Sequence, residues 1–260
     1  MFNYKNPKMT RFKRIATALI VTIGLSACEG NLFGELGNGV SVTQEIEVGD
    51  FDKISVCSFV DVHYTQTANQ QTITLTCDEN LIEYYKIEVR DGELVVDCKR
   101  SFYNKINTYV TVKSPLLNGV KLNGSGDLYI NESLTTEEDF SIEMSGSGDT
   151  EIAGIHAKSA TVALSGSGDV TINNLKAQSA SFKSTGSGDI KVDNLTAESI
   201  KVATMSSGDC TLKCNNSGTL DIQISGSGDV NLSGIARAIV NISQTGSGDL
   251  NMSRLSLTGK

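Results

Sequence analysis

The sequence predicts an all-β fold, a parallel solenoid with coils of about 20 residues and an N-terminal β cap. Three observations predict it. Gly-Ser-Gly-Asp, or a near copy, recurs with its Asp at 127, 149, 169, 189, 209, 229 and 249, a first interval of 22 residues followed by five of 20. Within each period, apolar residues alternate with polar ones, the period-two pattern of a strand with one buried face. No segment of the repeats shows helical periodicity, and glycine punctuates them too often for long helices.

The chain begins with a targeting pattern. Lys5, Lys8, Arg11, Lys13 and Arg14 precede the apolar stretch Ile15 to Gly24, which is too short to span a bilayer as a helix. Leu25-Ser26-Ala27-Cys28 then resembles the lipobox of bacterial lipoproteins, which makes residues 1–27 a signal peptide and Cys28 the site of lipidation. Several acyl chains on one cysteine hold a membrane far better than one, since each buried CH₂ contributes about 0.8 kcal/mol. Glu29 does not resemble an inner-membrane retention signal, so the expected location is the outer membrane of a Gram-negative bacterium. Residues 28–43, rich in Gly and polar side chains, read as the lipidated end and a flexible tether.

Removing residues 1–27 takes away five basic residues of 22 and none of the 30 acidic ones, leaving 17 − 30 = −13. Such a surface argues against nucleic acid as a partner and against docking on anionic lipid. Membrane attachment through the lipid remains, with a glycan, a protein or a second copy as possible contacts of the polar faces.

Residues 44–120 carry strand-like runs without the repeat: Lys53–Val56, Asp61–Tyr64, Thr72–Thr76, Glu93–Val96 and Tyr109–Val112. They predict the cap and the first coils. Pro115 marks the passage into the repeats at 121–260. There, residues one and three after the Asp (Val170 and Ile172, Ile190 and Val192) and a second alternating run (Ala180 and Phe182, Ile200 and Val202) predict inward columns that single coils could not bury alone. The chain stops soon after Leu250-Asn251-Met252. That edge therefore predicts either cover by the short tail or pairing with another copy.

Gly49-Asp50-Phe51-Asp52-Lys53-Ile54, Asp61-Val62, Ile87 to Leu94, Val112-Lys113-Ser114-Pro115-Leu116 and the serial Gly-Ser-Gly-Asp together resemble the "putative auto-transporter adhesin, head GIN domain" family. The resemblance covers roughly residues 44–260. It implies a right-handed β-helix and an exported or lipidated protein of a Gram-negative bacterium. It implies no particular activity, because "adhesin" and "pectinase-like" are labels by analogy there.

The one repeated chemical group is the carboxylate. Stacked coils would place Asp127, Asp149, Asp169, Asp189, Asp209, Asp229 and Asp249 on one edge about 5 Å apart, where bare like charges repel. Hydrogen bonding of each carboxylate within its own turn would compensate, and so would bound calcium. Identical carboxylates in identical corners do not separate an acid from a base, so the reading is a non-enzymatic, adhesin-like or structural envelope protein without a cofactor. The alternatives are a pectinase-like carbohydrate-active enzyme and a divalent-cation-binding envelope protein. His63 and His156 read as surface residues. Tyr84, Tyr85, Phe102, Tyr103 and Tyr109 form an aromatic group outside the repeats. Cys77 and Cys98 lie on inward phases and predict either a disulfide or two buried thiols. Cys210 reads as core.

Overall fold

The computed structural model describes residues 34–68, 70–103 and 108–259. The expected signal peptide, the expected lipidation site Cys28 and the start of the expected tether lie outside them. The N-terminal region holds β1 (Glu35–Leu36), β2 (Ser41–Ile46), β3 (Lys53–Val56), β4 (Asp61–Gln66), β5 (Thr72–Asp78), β6 (Tyr85–Arg90), β7 (Glu93–Cys98), β8 (Phe102–Tyr103) and β9 (Tyr109–Ser114). A 3₁₀ turn, Glu79–Tyr84, joins β5 to β6. The repeats form β10 (Gly119–Leu122), β11 (Leu128–Thr135), β12 (Asp139–Met144), β13 (Thr150–His156), β14 (Ser159–Leu164) and β15 (Val170–Ile172). They continue through β16 (Leu175–Ser184), β17 (Ile190–Thr204), β18 (Cys210–Ile224), β19 (Val230–Gln244) and β20 (Leu250–Leu257). All five strand-like runs read from the N-terminal region are strands.

Neighbouring coils pair in parallel, and their register is the repeat itself. Val170 lies beside Ile190, Ile190 beside Cys210, and Cys210 beside Val230, each 20 residues on. The inward column starts earlier, at Val110, Val62, Leu128 and Thr150. All of these are buried, and Val170, Cys210 and Val230 are fully so. The 22-residue interval is absorbed in two steps. Partners differ by 22 as far as Ile130, by 21 from Ser133 to Thr135, and by 20 between β12 and β14.

The first coils do not stack in chain order. β3 pairs in parallel with both β7 and β10, and β4 with both β9 and β11. The coil of residues 53–66 is therefore inserted between that of 93–114 and that of 119–135. Residues 67–92 leave the stack and return. On the way β5 pairs antiparallel with β9 and β2, and β6 antiparallel with β7, so edges that would otherwise stay open are paired.

Part of the segment read as tether is held in place. β1 pairs with β8, and β2 with β5. The fully buried Asp78 accepts a hydrogen bond from the Gly39 N–H at 2.6 Å. Asn80 accepts from the Asn38 N–H and donates to the Leu36 carbonyl. Polar and Gly-rich composition signalled mobility here, but Asp78 at the end of β5 and Asn80 in the 3₁₀ turn satisfy the backbone.

The other end is open. Ile242 occupies the column position of the fully buried Ile222, and Val240 falls in a register shift between Ile239, the partner of Leu220, and Asn241; no later coil covers either, so Ile242 is 46% and Val240 63% exposed. The tail is itself the strand β20, which lies along β19 as far as Ala236 and leaves the rest of β19 uncovered.

Candidate functional site

The aspartate column is a built hydrogen-bond ladder. Oδ1 of Asp127 accepts the backbone N–H of Asp149 at 2.8 Å, and Asp149, Asp169, Asp189, Asp209 and Asp229 do the same for the next Asp at 2.7–2.8 Å. The ladder begins one rung before the repeats, where Asp61 accepts from the Asp127 N–H at 3.0 Å. The sequence pattern suggested compensation within each turn. The structure places it between coils, because stacking in register brings each carboxylate under the next corner. A charge-assisted bond of this kind contributes about 1.5–3 kcal/mol. Two carboxylates 5 Å apart in a water-like dielectric repel by about 0.8 kcal/mol. The hydrogen bond therefore outweighs the repulsion. Among the described residues no group of three or more His, Cys, Asp or Glu is arranged to hold a metal ion.

The aromatic residues divide into two sets. Phe102 packs against Phe59, Tyr84 and Tyr85 at centroid distances of 5.5–5.7 Å, and the Arg100 guanidinium lies over Tyr84. Tyr109 is not in this group: it packs edge-on to His63, which in turn stacks on Tyr129 at 5.1 Å. His63 is thus half-buried between rings rather than free on the surface. The side chain of Tyr103 lies outside the described residues.

Cys77 and Cys98 form no disulfide. Cys77 is a buried thiol, and Cys98 is half-exposed with its Sγ 3.3 Å from the Arg100 carbonyl. Burial, with Asp78 and Cys98 nearby, pushes the Cys77 thiol up to about 11, and burial beside Asp209 pushes Cys210 up to about 12. A thiol pKa raised by folding means that the fold favours the neutral form. This contribution is intact below the ordinary thiol value of 9.0 and is lost as pH rises towards 12. Cys210→Val keeps the column of Val170, Ile190 and Val230. It is expected to melt like wild type at pH 7 and to lose less stability between pH 9 and 11. Equal alkaline melting curves would rule out this origin of base sensitivity.

A concavity lies elsewhere, at a corner that the sequence pattern did not mark. A groove of about 670 Å³ crosses the coils from Thr136 to Thr258. Thr136, Ala157, Ala177, Ala197 and Ser217, eight or nine residues after the preceding Asp, form a column of small residues along it. One wall is Thr135, His156, Lys176 and Thr196, in register at successive coils. The other includes Glu137, Lys158, Gln178, Glu198 and Arg237. The first wall is a ridge, with a second hollow behind it where Asn194 donates to Asn174 and Asn174 donates to the Ala153 carbonyl. His156 is exposed, as expected, and stands on this ridge.

The repeated carboxylates of this parallel solenoid thus hold its own coils together, and an outward corner carries a polar groove. The chain belongs to the family described as putative auto-transporter adhesin, head GIN domain, whose profile matches residues 50–236. It is similar to the crystal structure of a putative adhesin from Bacteroides fragilis NCTC 9343, with TM-score 0.72, 25% identity, and 84% of this chain and 99% of that one covered. A putative adhesin from Parabacteroides distasonis ATCC 8503 matches with TM-score 0.66 at 23% identity, covering 83% and 99%. A putative lipid binding protein from the same organism matches with TM-score 0.60 at 25% identity, covering 83% and 98%. A comparison with curated proteins finds no match.

Proposed function

We propose that this chain is a non-enzymatic, lipid-anchored envelope protein, attached through Cys28 to the outer membrane, whose solenoid presents polar side chains to another molecule. The observation that supports it most is the aspartate ladder. The one repeated chemical group of the sequence is engaged in joining coil to coil, which leaves the varied side chains of the outward corners to meet a partner. Membership of an adhesin-named family agrees with export. No described helix is long and apolar enough to cross a membrane, which suits attachment by lipid. The groove carboxylates Glu137 and Glu198 stand three coils apart, about 14 Å at ~4.8 Å per coil. That exceeds the roughly 5–9.5 Å that separates paired catalytic carboxyls in glycoside hydrolysis. The open end at Val240 and Ile242 offers a contact for a second copy.

The test is made in producing cells. Radiolabelled palmitate should be incorporated into wild type and lost in Cys28→Ser, with the variant released from the membrane fraction. Intact producing cells should bind mucin-coated or polysaccharide-coated wells better than cells lacking the protein. Label retained in Cys28→Ser would overturn the anchor, and equal binding by the two strains would overturn the interaction role. Sedimentation of purified protein reads the second-copy contact: a monomer at high concentration would exclude it.

A further inference from the structure

We infer that the groove along Thr136 to Thr258 is a binding site for an extended acidic glycan, with Lys158 and Lys176 holding its anionic groups. The inference rests on the interaction role proposed above and names the ligand class of that surface.

The groove has the length for a polymer. Six coil steps at ~4.8 Å give about 29 Å. Its walls change character little along that length: hydroxyl, amide and charged side chains stand at successive coils in register, and the small residues between them keep the channel open. A ladder of polar groups at a constant spacing near the length of one sugar unit suits a chain that repeats its own hydroxyls. A short rigid ligand would use only part of it.

The charge selects the class further. Lys158, Lys176 and Arg237 against Glu137 and Glu198 give the lining a net charge of +1, on a chain whose part after residue 27 carries −13. Among the described residues the ion pairs are Lys86–Glu88, Arg90–Glu88, Arg100–Glu35, Lys121–Glu93 and Lys191–Asp193. None of them uses the groove cations. Lys158 lies two residues after His156 on the same coil, on the opposite wall, and Lys176 stands beside His156 on the next coil, so three nitrogen-bearing side chains line one stretch of the channel. Unpaired cations on an acidic protein attract an anion while the surrounding surface repels it elsewhere, which focuses the ligand on the groove.

A peptide fits less well. Extended peptides gain affinity by adding a strand to an open edge. Here the backbone along the groove is already committed between coils: Thr136 N–H donates to the His156 carbonyl at 2.9 Å, Ala157 to Lys176 at 3.1 Å, and Gln178 to Lys158 at 2.9 Å. Recognition must therefore come from side chains. No Phe, Tyr or Trp lines the groove to supply a stacking platform, so each sugar would contribute little and affinity would grow with chain length.

The experiment is calorimetric titration of the full chain with oligogalacturonate of six and of two units, with neutral maltohexaose, and with hexaglutamate as the acidic peptide. The six-unit acidic oligomer should bind, more weakly at high salt, and should exceed the two-unit oligomer and both other probes by about tenfold or more. The double variant Lys158→Glu/Lys176→Glu should lose roughly ten- to thirtyfold in affinity. Arg237→Glu, three coils away, should lose only about threefold. Lys183→Glu makes the same charge change outside the groove and should bind like wild type. Unchanged binding by the double variant, equal binding of maltohexaose, or equal binding of hexaglutamate would each overturn the inference. The interaction role is read separately. If producing cells adhere but the double variant adheres equally, the groove assignment fails and the role stands. If the acidic oligomer is bound and also cleaved, the ligand class stands and the non-enzymatic role fails.

Discussion

Gly188→Ala should cost about 3–5 kcal/mol and lower the thermal midpoint by roughly 10 °C or more, with a matching fall in the urea midpoint. A β-carbon at this position would overlap the Gly168 carbonyl oxygen of the preceding coil and would lie 2.8 Å from its carbonyl carbon and 3.1 Å from the Ser167 carbonyl carbon. Every obstacle is backbone, so no side chain can swing aside. Relief would require the two coils to separate locally. The Ser187 N–H bond to Gly166 at 2.9 Å and the Asp189 N–H bond to Asp169 at 2.8 Å hold them together at that corner. The preceding glycine column is less strict. Ser206 stands in it, buried, its hydroxyl donating to the Gly208 carbonyl at 3.0 Å. Around it the Ser207 N–H to Gly186 bond lengthens to 3.2 Å. Gly186→Ser should accordingly cost less than Gly188→Ala. Gly49, where a β-carbon would meet nothing within 4 Å, gives the control: Gly49→Ala should shift the midpoint by no more than about a degree or two. If Gly188→Ala melts with Gly49→Ala, the coils do not approach as closely as described.

The periodic part of the fold was legible because each coil repeats one set of local rules. Val170, Ile172, Ala180 and Phe182 recur in kind at every coil, and a fixed interval converts alternation in one coil into columns through all of them. The insertion of residues 53–66 between two later segments was not legible. It depends on which strand pairs with β3 and β4 over 40 to 66 residues of chain, and no local pattern encodes that choice. The ladder partner was half visible: Asp at a constant position announced a hydrogen-bonding role, but whether the acceptor served its own turn or the next depended on coil spacing. The groove was missed because Thr135, His156, Lys176 and Thr196 share a position but not a residue type. The available signal was the small residue that recurs eight or nine places after the preceding Asp. It reads as filler until the coil is seen to bend there.

The aspartate ladder makes a prediction that separates a hydrogen-bond acceptor from a charge. Asp169→Ala/Asp189→Ala/Asp209→Ala removes three consecutive acceptors from the N–H groups of Asp189, Asp209 and Asp229. Water can reach these exposed corners, so each loss should sit near 1–1.5 kcal/mol, and the triple variant should lose about 3–5 kcal/mol. The corresponding triple change to Asn keeps an oxygen at each rung and removes the like charges. It loses charge assistance and gains relief from repulsion of about 0.8 kcal/mol per adjacent pair, so it should melt within a few degrees of wild type and depend less on salt. Calcium provides the opposing case. If the carboxylates served to bind the ion, calcium would raise the wild-type midpoint by mass action and fail to do so in the Asn variant. With Oδ1 of each rung engaged by a backbone N–H, addition of calcium should leave both midpoints where they were. A calcium-dependent rise in wild type alone would sink the structural account of the ladder. Equal losses in the Ala and Asn variants would show that charge, and not the acceptor, holds the corners together.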